Sequence, residues 1–371
     1  MQHDDLFDIR LHHHRPPVKR ILIIRPGALG DLIVTLPTFG AIRRYFQGAH
    51  IEIMGYTTFL EITKGRFYAD TISRFDHADN ALLFVNNAQL PPLLIKKFEG
   101  IDLIFSFVSD KEQVFANNLR KTGVKHIIHR EPLPACSENT HITDHLLKSL
   151  DSLGIDDPTA IPKVFLNNED LCLGEKFIND AAVNPSKPLI AIHPGSGSRQ
   201  KCWPVERFAA LMSRLSRDVD AQFLVTSGPA DDKIIEELRK KTGNSFITAN
   251  QLPLPQLAAI ITKCSLFIGN DSGVTHLAAA VGTPTIALFG PTDPQIWGTR
   301  GEKVTILYKK LPCSPCPLDI RKNCLSLSCL DRIGIESVVK EVCNMLEDAT
   351  NGLGEIAFAE THRQEGKGVT S

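Results

Sequence analysis

The sequence lacks several features that would decide its class at once. It has no apolar run near the roughly 18 residues that a membrane-spanning helix needs; the stretch Ile21-Leu22-Ile23-Ile24 is far too short. Charge of one sign is not in excess either. Lys and Arg number 41 against 42 Asp and Glu, a formal net charge of −1, so no global field points to nucleic acid as a partner. The opening residues, MQHDDLFDIRLHHHRPPVKR, begin with acids and contain no apolar core. That is the pattern of a cytoplasmic chain, not of a secretory signal. No Gly-x-Gly-x-x-Gly, no P-loop and no Gly-x-Ser-x-Gly elbow is found, which removes the usual dinucleotide, Walker-type and serine-hydrolase readings. Asp218-Val219-Asp220 has the Asp-x-Asp spacing of metal–nucleotide sites, but it falls in a polar turn where solvation is the default.

What is present is ordinary in bulk. At 371 residues, 43% hydrophobic and 22% charged, the chain suits a globular protein of two domains with tails. Strand, loop and helix patterns alternate from Lys19: RILIIR then DLIVTLPTFGAIRRYF, with HIEIMGY and IDLIFSFVS as further strands. Pro37 is a candidate kink in the first helix, and HITDHLLKSLDSLGI reads as a helix with Gly154 as its C-cap. After a Pro-, Asn- and charge-rich stretch over 155–187 holding one short helix, the alternation restarts. PLIAIHPG, QFLVTSG, SLFIGN and PTIALFGP read as strands, interleaved with helical patterns in PVERFAALMSRLS, DDKIIEELRKKTG, LPLPQLAAIITKC and GVTHLAAAVG. Such alternation implies α/β architecture: two Rossmann-like domains with parallel sheets, facing each other across a cleft. The expected divisions are an arm over 1–17, a first domain over 18–165, a connection over 166–187, a second domain over 188–345 and a disordered tail over 346–371.

Ligands of open α/β sheets bind at the carboxyl ends of strands, and four loops there hold chemistry-bearing residues. In the first, Gly27-Ala28-Leu29-Gly30-Asp31 places a carboxylate at a helix start, where an anionic ligand would otherwise sit. Asp31 is either a helix cap or a base for a neutral hydroxyl brought close by the two glycines. In the second, HPGSGSRQKCWP (193–204), the Gly-Ser-Gly-Ser run and Lys201 form either an anion cradle or a plain polar loop. In the third, GNDSGVTHLAAAVG (269–282), Asp271, Ser272, Thr275 and His276 crowd around Gly273, with small Ala278–Ala280 behind; they are caps and packing residues or a ligand site. FGPTDP (289–294) borders the same place. The fourth is a cysteine segment in which Cys313, Cys316, Cys324 and Cys329 fit a structural zinc held by thiolates or reduced thiols that tie down a loop. Disulfides are disfavoured in the cytosol.

Three of these motifs, GALGDLIVTLP, HPGSGSRQKCWP and NDSGVTHLAAAVGTPTIALFGPTDP, in this order and separation resemble glycosyltransferase family 9, the ADP-heptose:lipopolysaccharide heptosyltransferase family. The likeness runs from Lys19 to Asn344, and PCSPC…NCLSLSCLDRI resembles the family's C-terminal region. The resemblance implies a GT-B fold, an inverting reaction and no metal requirement for catalysis. It implies Asp31 as the base on an acceptor-side loop with Gly27 and Gly30, and Lys201 as the cation that offsets the donor diphosphate. Ser196, Gly197 and Ser198, with Asp271, Ser272, Gly273, Thr275 and His276, match the donor-binding positions. The implied partners are a nucleotide-diphosphate sugar and a lipid-linked oligosaccharide at the cytoplasmic face of the inner membrane. Arg43, Arg44 and the Arg15/Lys19/Arg20 cluster either favour that anionic surface or are simply solvated. The loop RPGALGD lacks the serines of many members, which leaves the acceptor open. Use of another nucleotide sugar, and nucleotide-sugar binding without turnover, are the alternative readings.

Overall fold

The computed structural model describes residues 18–348, apart from 136, 137, 158, 244 and the side chains of 318 and 319. The expected arm over 1–17, and the expected tail from 349 onward, lie outside the described residues. Residues 346–348 are not tail: they complete a helix over 335–348.

In the first half, β1 (Arg20–Ile24), β2 (His50–Gly55), β3 (Thr71–Arg74), β4 (Leu103–Ser106) and β5 (His126–His129) form a five-stranded sheet in the order β3-β2-β1-β4-β5. Every pairing is parallel. The aliphatic run of β1 is buried from Ile21 to Ile24, as a strand covered by helices on both faces must be. The helices of this half are α1 (Leu29–Tyr45), α2 (Thr57–Leu60), α3 (Pro92–Lys97), α4 (Val114–Lys121) and α5 (Ile142–Leu147). Pro37 lies inside α1, which continues through it.

The second half begins with α6 (Asn168–Asp180) and contains α7 (Val205–Asp218), α8 (Asp232–Thr242), α9 (Leu254–Ile261) and α10 (Gly273–Ala280). Its strands are β6 (Leu189–His193), β7 (Gln222–Ser227), β8 (Ile247–Asn250), β9 (Leu266–Asn270), β10 (Thr285–Phe289) and β11 (Val304–Tyr308). They make a six-stranded sheet in the order β11-β10-β9-β6-β7-β8. The stretch read as a connection with one short helix carries the 13-residue α6, opened by a reciprocal cap. Asn167 Oδ1 accepts the Asp170 N–H at 2.9 Å, and Asp170 Oδ2 accepts the Asn167 N–H at 3.0 Å. This helix lies on α9 so closely that a Cβ on Gly174 would come within 2.8 Å of the Ala259 carbonyl carbon.

Both strand orders reverse at one point: between β1 and β4 in the first sheet, and between β6 and β9 in the second. Those reversals open a crevice at the carboxyl ends of the flanking strands. The loop after β1 is Arg25–Ala28; the loops after β6 and β9 are 194–204 and 271–272. Topology therefore puts three of the four sequence-derived loops at the two crevices. The halves are joined by α1 packed on α10, and one apolar core runs through Ile33, Leu36 and Phe39 into Leu277, Ala278 and Ala280. Ion pairs brace the joint. Arg300 holds Asp144 through two bonds of 2.6 and 2.7 Å, Arg66 holds Asp170 at 2.6 Å, and His141 Nε2 lies 2.9 Å from the Gly298 carbonyl. Among the described residues no helix is long and apolar enough to cross a membrane.

Candidate active site

Asp31 sits at the third position of α1 and reaches back, its Oδ2 accepting the Ala28 N–H at 2.9 Å. The N-cap position is held by Ala28, not Asp31, which closes the helix start from its third position; the side chain stays 31% exposed and can still meet a ligand. Its close partner was not singled out from the sequence. Arg25, 4% exposed, donates from Nε to Thr35 Oγ1 (2.9 Å), from one terminal nitrogen to the Pro26 carbonyl (3.2 Å) and from the other to the Asp31 carbonyl (3.2 Å). That last nitrogen lies 3.6 Å from Asp31 Oδ1. Thr35 Oγ1 in turn donates to the Asp31 carbonyl at 2.6 Å. Burial pushes the Arg25 pKa down, and the Asp31 charge opposes that shift. Gly27 is required by space: a Cβ there would stand 2.8 Å from Asp31 Cβ.

Across the crevice, Asn270 ends β9 fully buried and organises the opposing loop. Its Nδ2 donates to the carbonyls of Pro194 (2.8 Å) and Gly195 (3.2 Å), and its Oδ1 accepts the Trp203 N–H (2.9 Å). Ser196 Oγ donates to the Asp271 carbonyl at 2.7 Å. Asp231 completes the frame: its Oδ2 takes the Gly228 N–H at 2.7 Å, and a Cβ on Gly195 would come within 2.1 Å of its Oδ1. Asn270 and Asp231 carried a weak sequence signal, a polar residue ending or following a buried strand, and were not read as functional. The Ser198 hydroxyl is buried with no hydrogen-bond partner among the described residues. A buried hydroxyl left unpaired in a glycine-serine loop is free to donate to an acceptor atom.

Lys201 Nζ is 2.8 Å from Asp271 Oδ2, with the lysine side chain 22% exposed. That oxygen is buried and makes no properly directed hydrogen bond, so the contact is an ion pair rather than an aligned bond. Ser272 and Thr275 are used internally. Ser272 Oγ accepts the Thr275 N–H at 3.3 Å, and Thr275 Oγ1 donates to the Asn270 carbonyl at 2.5 Å. They shape the α10 N-terminus, and their hydroxyls are already engaged. His276 is buried behind them. Burial pushes its pKa down to about 4 against the pull of Asp271, with the charges of Lys201 and Asp31 also felt there. It is therefore neutral at pH 7.

The two crevices touch. A Cβ on Gly273 would be 2.7 Å from the Gly30 nitrogen and 2.8 Å from Leu29 Cβ; one on Gly30 would be 3.9 Å from His276 Cδ2. The loop after β1 and the α10 N-terminus are thus in close contact, with Asp31 on one flank and Lys201, Asp271 and Ser198 on the other. Beyond the ends of β7 and β8 lies an open cleft of about 380 Å³, lined by Ser227, Asp232, Ile235, Glu236, Arg239, Thr248 and Asn250. In FGPTDP, the Thr292 hydroxyl is also buried without a partner.

Two sequence candidates fall elsewhere. Asp218 pairs with Arg214, and Asp220 pairs with Lys187 at 2.8 Å; both sit at the amino end of β7, opposite the crevice. The cysteine segment docks on the end of β10, with the Cys316 N–H on the Pro291 carbonyl (2.8 Å) and Ser314 Oγ on the Gly290 carbonyl (2.6 Å). Its thiols are neighbours: burial raises the pKa of Cys316, helped by Cys313 and Cys324, and burial raises that of Cys329, helped by Cys316 and Cys324. Yet Cys316 Sγ donates to the Cys313 carbonyl at 2.8 Å, all four are free thiols, and no three His, Cys, Asp or Glu side chains among the described residues are grouped to hold a metal. Cys316 Sγ is thus turned to backbone, and Cys324 Sγ lies 3.9 Å from Ser326 Oγ.

Residues 144–324, which carry the loops after β6 and β9, match the family model described as glycosyltransferase family 9 (heptosyltransferase). Over that stretch, just under half of its length, the chain is similar to this family. It is 25% identical over 321 residues to lipopolysaccharide heptosyltransferase 3 of Escherichia coli K12, covering 80% of this chain and 91% of that one. Its backbone superposes on a family 9 glycosyl transferase from Veillonella parvula with a TM-score of 0.75 at 20% identity, covering 91% of this chain and 100% of that one. It superposes on the E. coli ADP-heptose lps heptosyltransferase II with a TM-score of 0.69 at 17% identity, covering 89% and 99%. The fold is GT-B, and the chain is a glycosyltransferase.

Proposed function

We propose that the enzyme transfers a heptose from ADP-heptose to the inner core of lipopolysaccharide, with inversion and without a catalytic metal. The observation that carries this reading is the Gly30–Gly273 contact, which brings a partly exposed carboxylate on one sheet beside an anion cradle on the other. The names of the relatives support heptose and lipopolysaccharide as substrate classes. In this reading the donor diphosphate lies over Ser196–Ser198 and the α10 N-terminus, where N–H groups and the helix dipole favour negative charge. The orphan Ser198 hydroxyl donates to it. Lys201 exchanges its Asp271 partner for the diphosphate and offsets the charge that grows on the leaving ADP, the electrostatic contribution that is usually largest in such transfers. The nucleoside extends into the cleft beyond β7 and β8, whose size suits such a group.

The acceptor hydroxyl comes from the Asp31 side. Its oxygen bonds to the anomeric carbon from the face opposite the diphosphate, the carbon–diphosphate bond breaks, and Asp31 takes the hydroxyl proton. Arg25 keeps that carboxylate aimed at the crevice. His276 stays neutral, so it adds no cation that would compete with Lys201. The acceptor site faces the cytoplasm in this account, where the nucleotide sugar is available.

The reading is tested by nucleoside-diphosphate release from ADP-heptose, ADP-mannose, UDP-GlcNAc and GDP-mannose, with and without a lipid A–Kdo acceptor and with EDTA present. Release of ADP from ADP-heptose that needs the acceptor and survives EDTA is the expected result. Tight donor binding with no release on any acceptor would contradict it.

A further inference from the structure

Among the buried polar side chains that the proposed transfer does not use, Asn270 is set apart by what it connects. It is the last residue of β9, at the point where the order of the second sheet reverses, and it is fully buried. Burying an amide costs free energy unless its groups are bonded, and here they are. Nδ2 donates to the carbonyls of Pro194 (2.8 Å) and Gly195 (3.2 Å), while Oδ1 accepts the Trp203 N–H (2.9 Å). Two carbonyls on one side and an N–H on the other leave a single orientation for the amide.

These partners are the two ends of one loop. Residues 194 and 195 open the segment after β6 and residue 203 lies at its close, so the amide spans the base of the loop that carries Ser196, Ser198 and Lys201. The following residue fastens the middle: Ser196 Oγ donates to the Asp271 carbonyl at 2.7 Å, and Lys201 Nζ lies 2.8 Å from Asp271 Oδ2. Within the loop the Lys201 N–H bonds the Ser198 carbonyl at 3.0 Å, whereas the Ser198 hydroxyl has no partner among the described residues. Asn270 is itself held from α10, because Thr275 Oγ1 donates to its carbonyl at 2.5 Å. One side chain thus locks the loop after β6 to the start of α10.

We propose that Asn270 is the positioning residue of the anion cradle. It does not touch the ligand; it sets the loop so that the Ser198 hydroxyl, the Lys201 ammonium and the α10 N-terminus meet one diphosphate together. The proposal rests on the placing of a diphosphate over this loop in the reading above, and not on the sugar, the acceptor or the turnover. The residue type matters. Aspartate has the same shape, but its carboxylate would turn an acceptor toward the Pro194 and Gly195 carbonyls, where asparagine presents two donors. The base of the loop then opens, its two ligand-binding groups separate, and ordering them again opposes binding.

The test is titration calorimetry of the full chain with ADP and with inorganic pyrophosphate, together with melting temperatures on the same samples. Asn270→Asp at pH 8 is expected to weaken both ligands by about 10–100-fold. Lowering the pH to about 5.5 should restore much of that loss relative to wild type: burial beside two carbonyls raises the pKa of the substituted carboxyl, and below that pKa the neutral acid donates to one of them. The titratable groups around it are Lys201 and Asp271 at the loop, Asp231 before α8, His193 on β6 and His276 on α10. They are the same in both proteins and cancel in the ratio. Asn270→Ser, which keeps one short donor and adds no charge, should weaken both ligands at every pH, and it decides the question where the aspartate variant does not fold. Val342→Ala, which thins the apolar core of the same half, should lower the melting temperature and leave both affinities unchanged. Wild-type affinity in Asn270→Asp and Asn270→Ser, a loss in Asn270→Asp that low pH does not relieve, or an equal loss in Val342→Ala would overturn the positioning role while the donor reading stands. A wild type that binds neither ADP nor pyrophosphate would overturn both.

Discussion

Asp31 is held from both ends, by the Ala28 N–H in front and by Arg25 behind. Of these residues only the aspartate was legible in the sequence, because a carboxylate after a glycine loop contradicts the usual anion-binding pattern. Arg25 reads as the end of a strand, and nothing local shows that its guanidinium turns inward to bond Thr35 ten residues later. Asn270 and Asp231 were missed for the same reason, since their partners come from loops far away in sequence. The resemblance offered Ser196 and Ser198 alike as phosphate contacts; the Ser198 hydroxyl has no partner among the described residues, whereas that of Ser196 bonds the Asp271 carbonyl and those of Ser272 and Thr275 are consumed in shaping the helix start. Arg25→Met should remove three hydrogen bonds, the one to Thr35 fully buried, and cost about 2–4 kcal/mol of stability, the range for breaking a buried charged network. Turnover should fall more than donor affinity, and Arg25→Lys should lie between, having the charge without the fork. Urea unfolding with steady-state kinetics checks this, and an unchanged midpoint for Arg25→Met would remove Arg25 from the account.

At the scale of elements, the central strands announced themselves and the edges did not. β1, β2, β4, β6, β7, β9 and β10 were readable as aliphatic runs. The four strands that were not, β3, β5, β8 and β11, are the four edge strands of the two sheets. They are short and half-buried, with burial patterns such as all-intermediate for VTILY, so they lack the apolar run that marks a strand covered on both faces. α6 was underestimated because only Gly174, Phe177 and Ile178 face the core, Phe177 and Ile178 in part, while Leu171 and Leu173 stay exposed and blur its apolar face. The element contact that matters most is α10 against the start of α1. Gly273→Ala places a methyl within 2.7 Å of the Gly30 nitrogen, and the two loops must separate. We expect a loss of about 1–3 kcal/mol, typical of overpacking, with turnover reduced more than ADP affinity because Asp31 moves away from the donor. Gly334→Ala, whose added Cβ meets nothing within 4 Å, should leave the melting temperature unchanged. Equal melting temperatures for both variants would mean that the loops do not meet as described.

For the whole molecule, the two-sheet plan followed from the restart of the strand–helix alternation after residue 187, and the strand reversals then placed the predicted loops in facing crevices. How tightly the halves join was not legible. It depends on α1–α10 packing and on pairs such as Arg300–Asp144, which are 156 positions apart. The proposed base on one half and the proposed anion cradle on the other make sense together as a transferase that holds two substrates and excludes water between them. That division of labour is the central claim. Its most direct test compares Asp31→Asn with wild type, measuring acceptor-dependent ADP release and ADP-heptose affinity on the same preparations. The account predicts turnover lower by about 10²–10⁴-fold with donor affinity nearly intact. Full turnover in Asp31→Asn, or a loss of donor affinity that matches the loss of turnover, would contradict it.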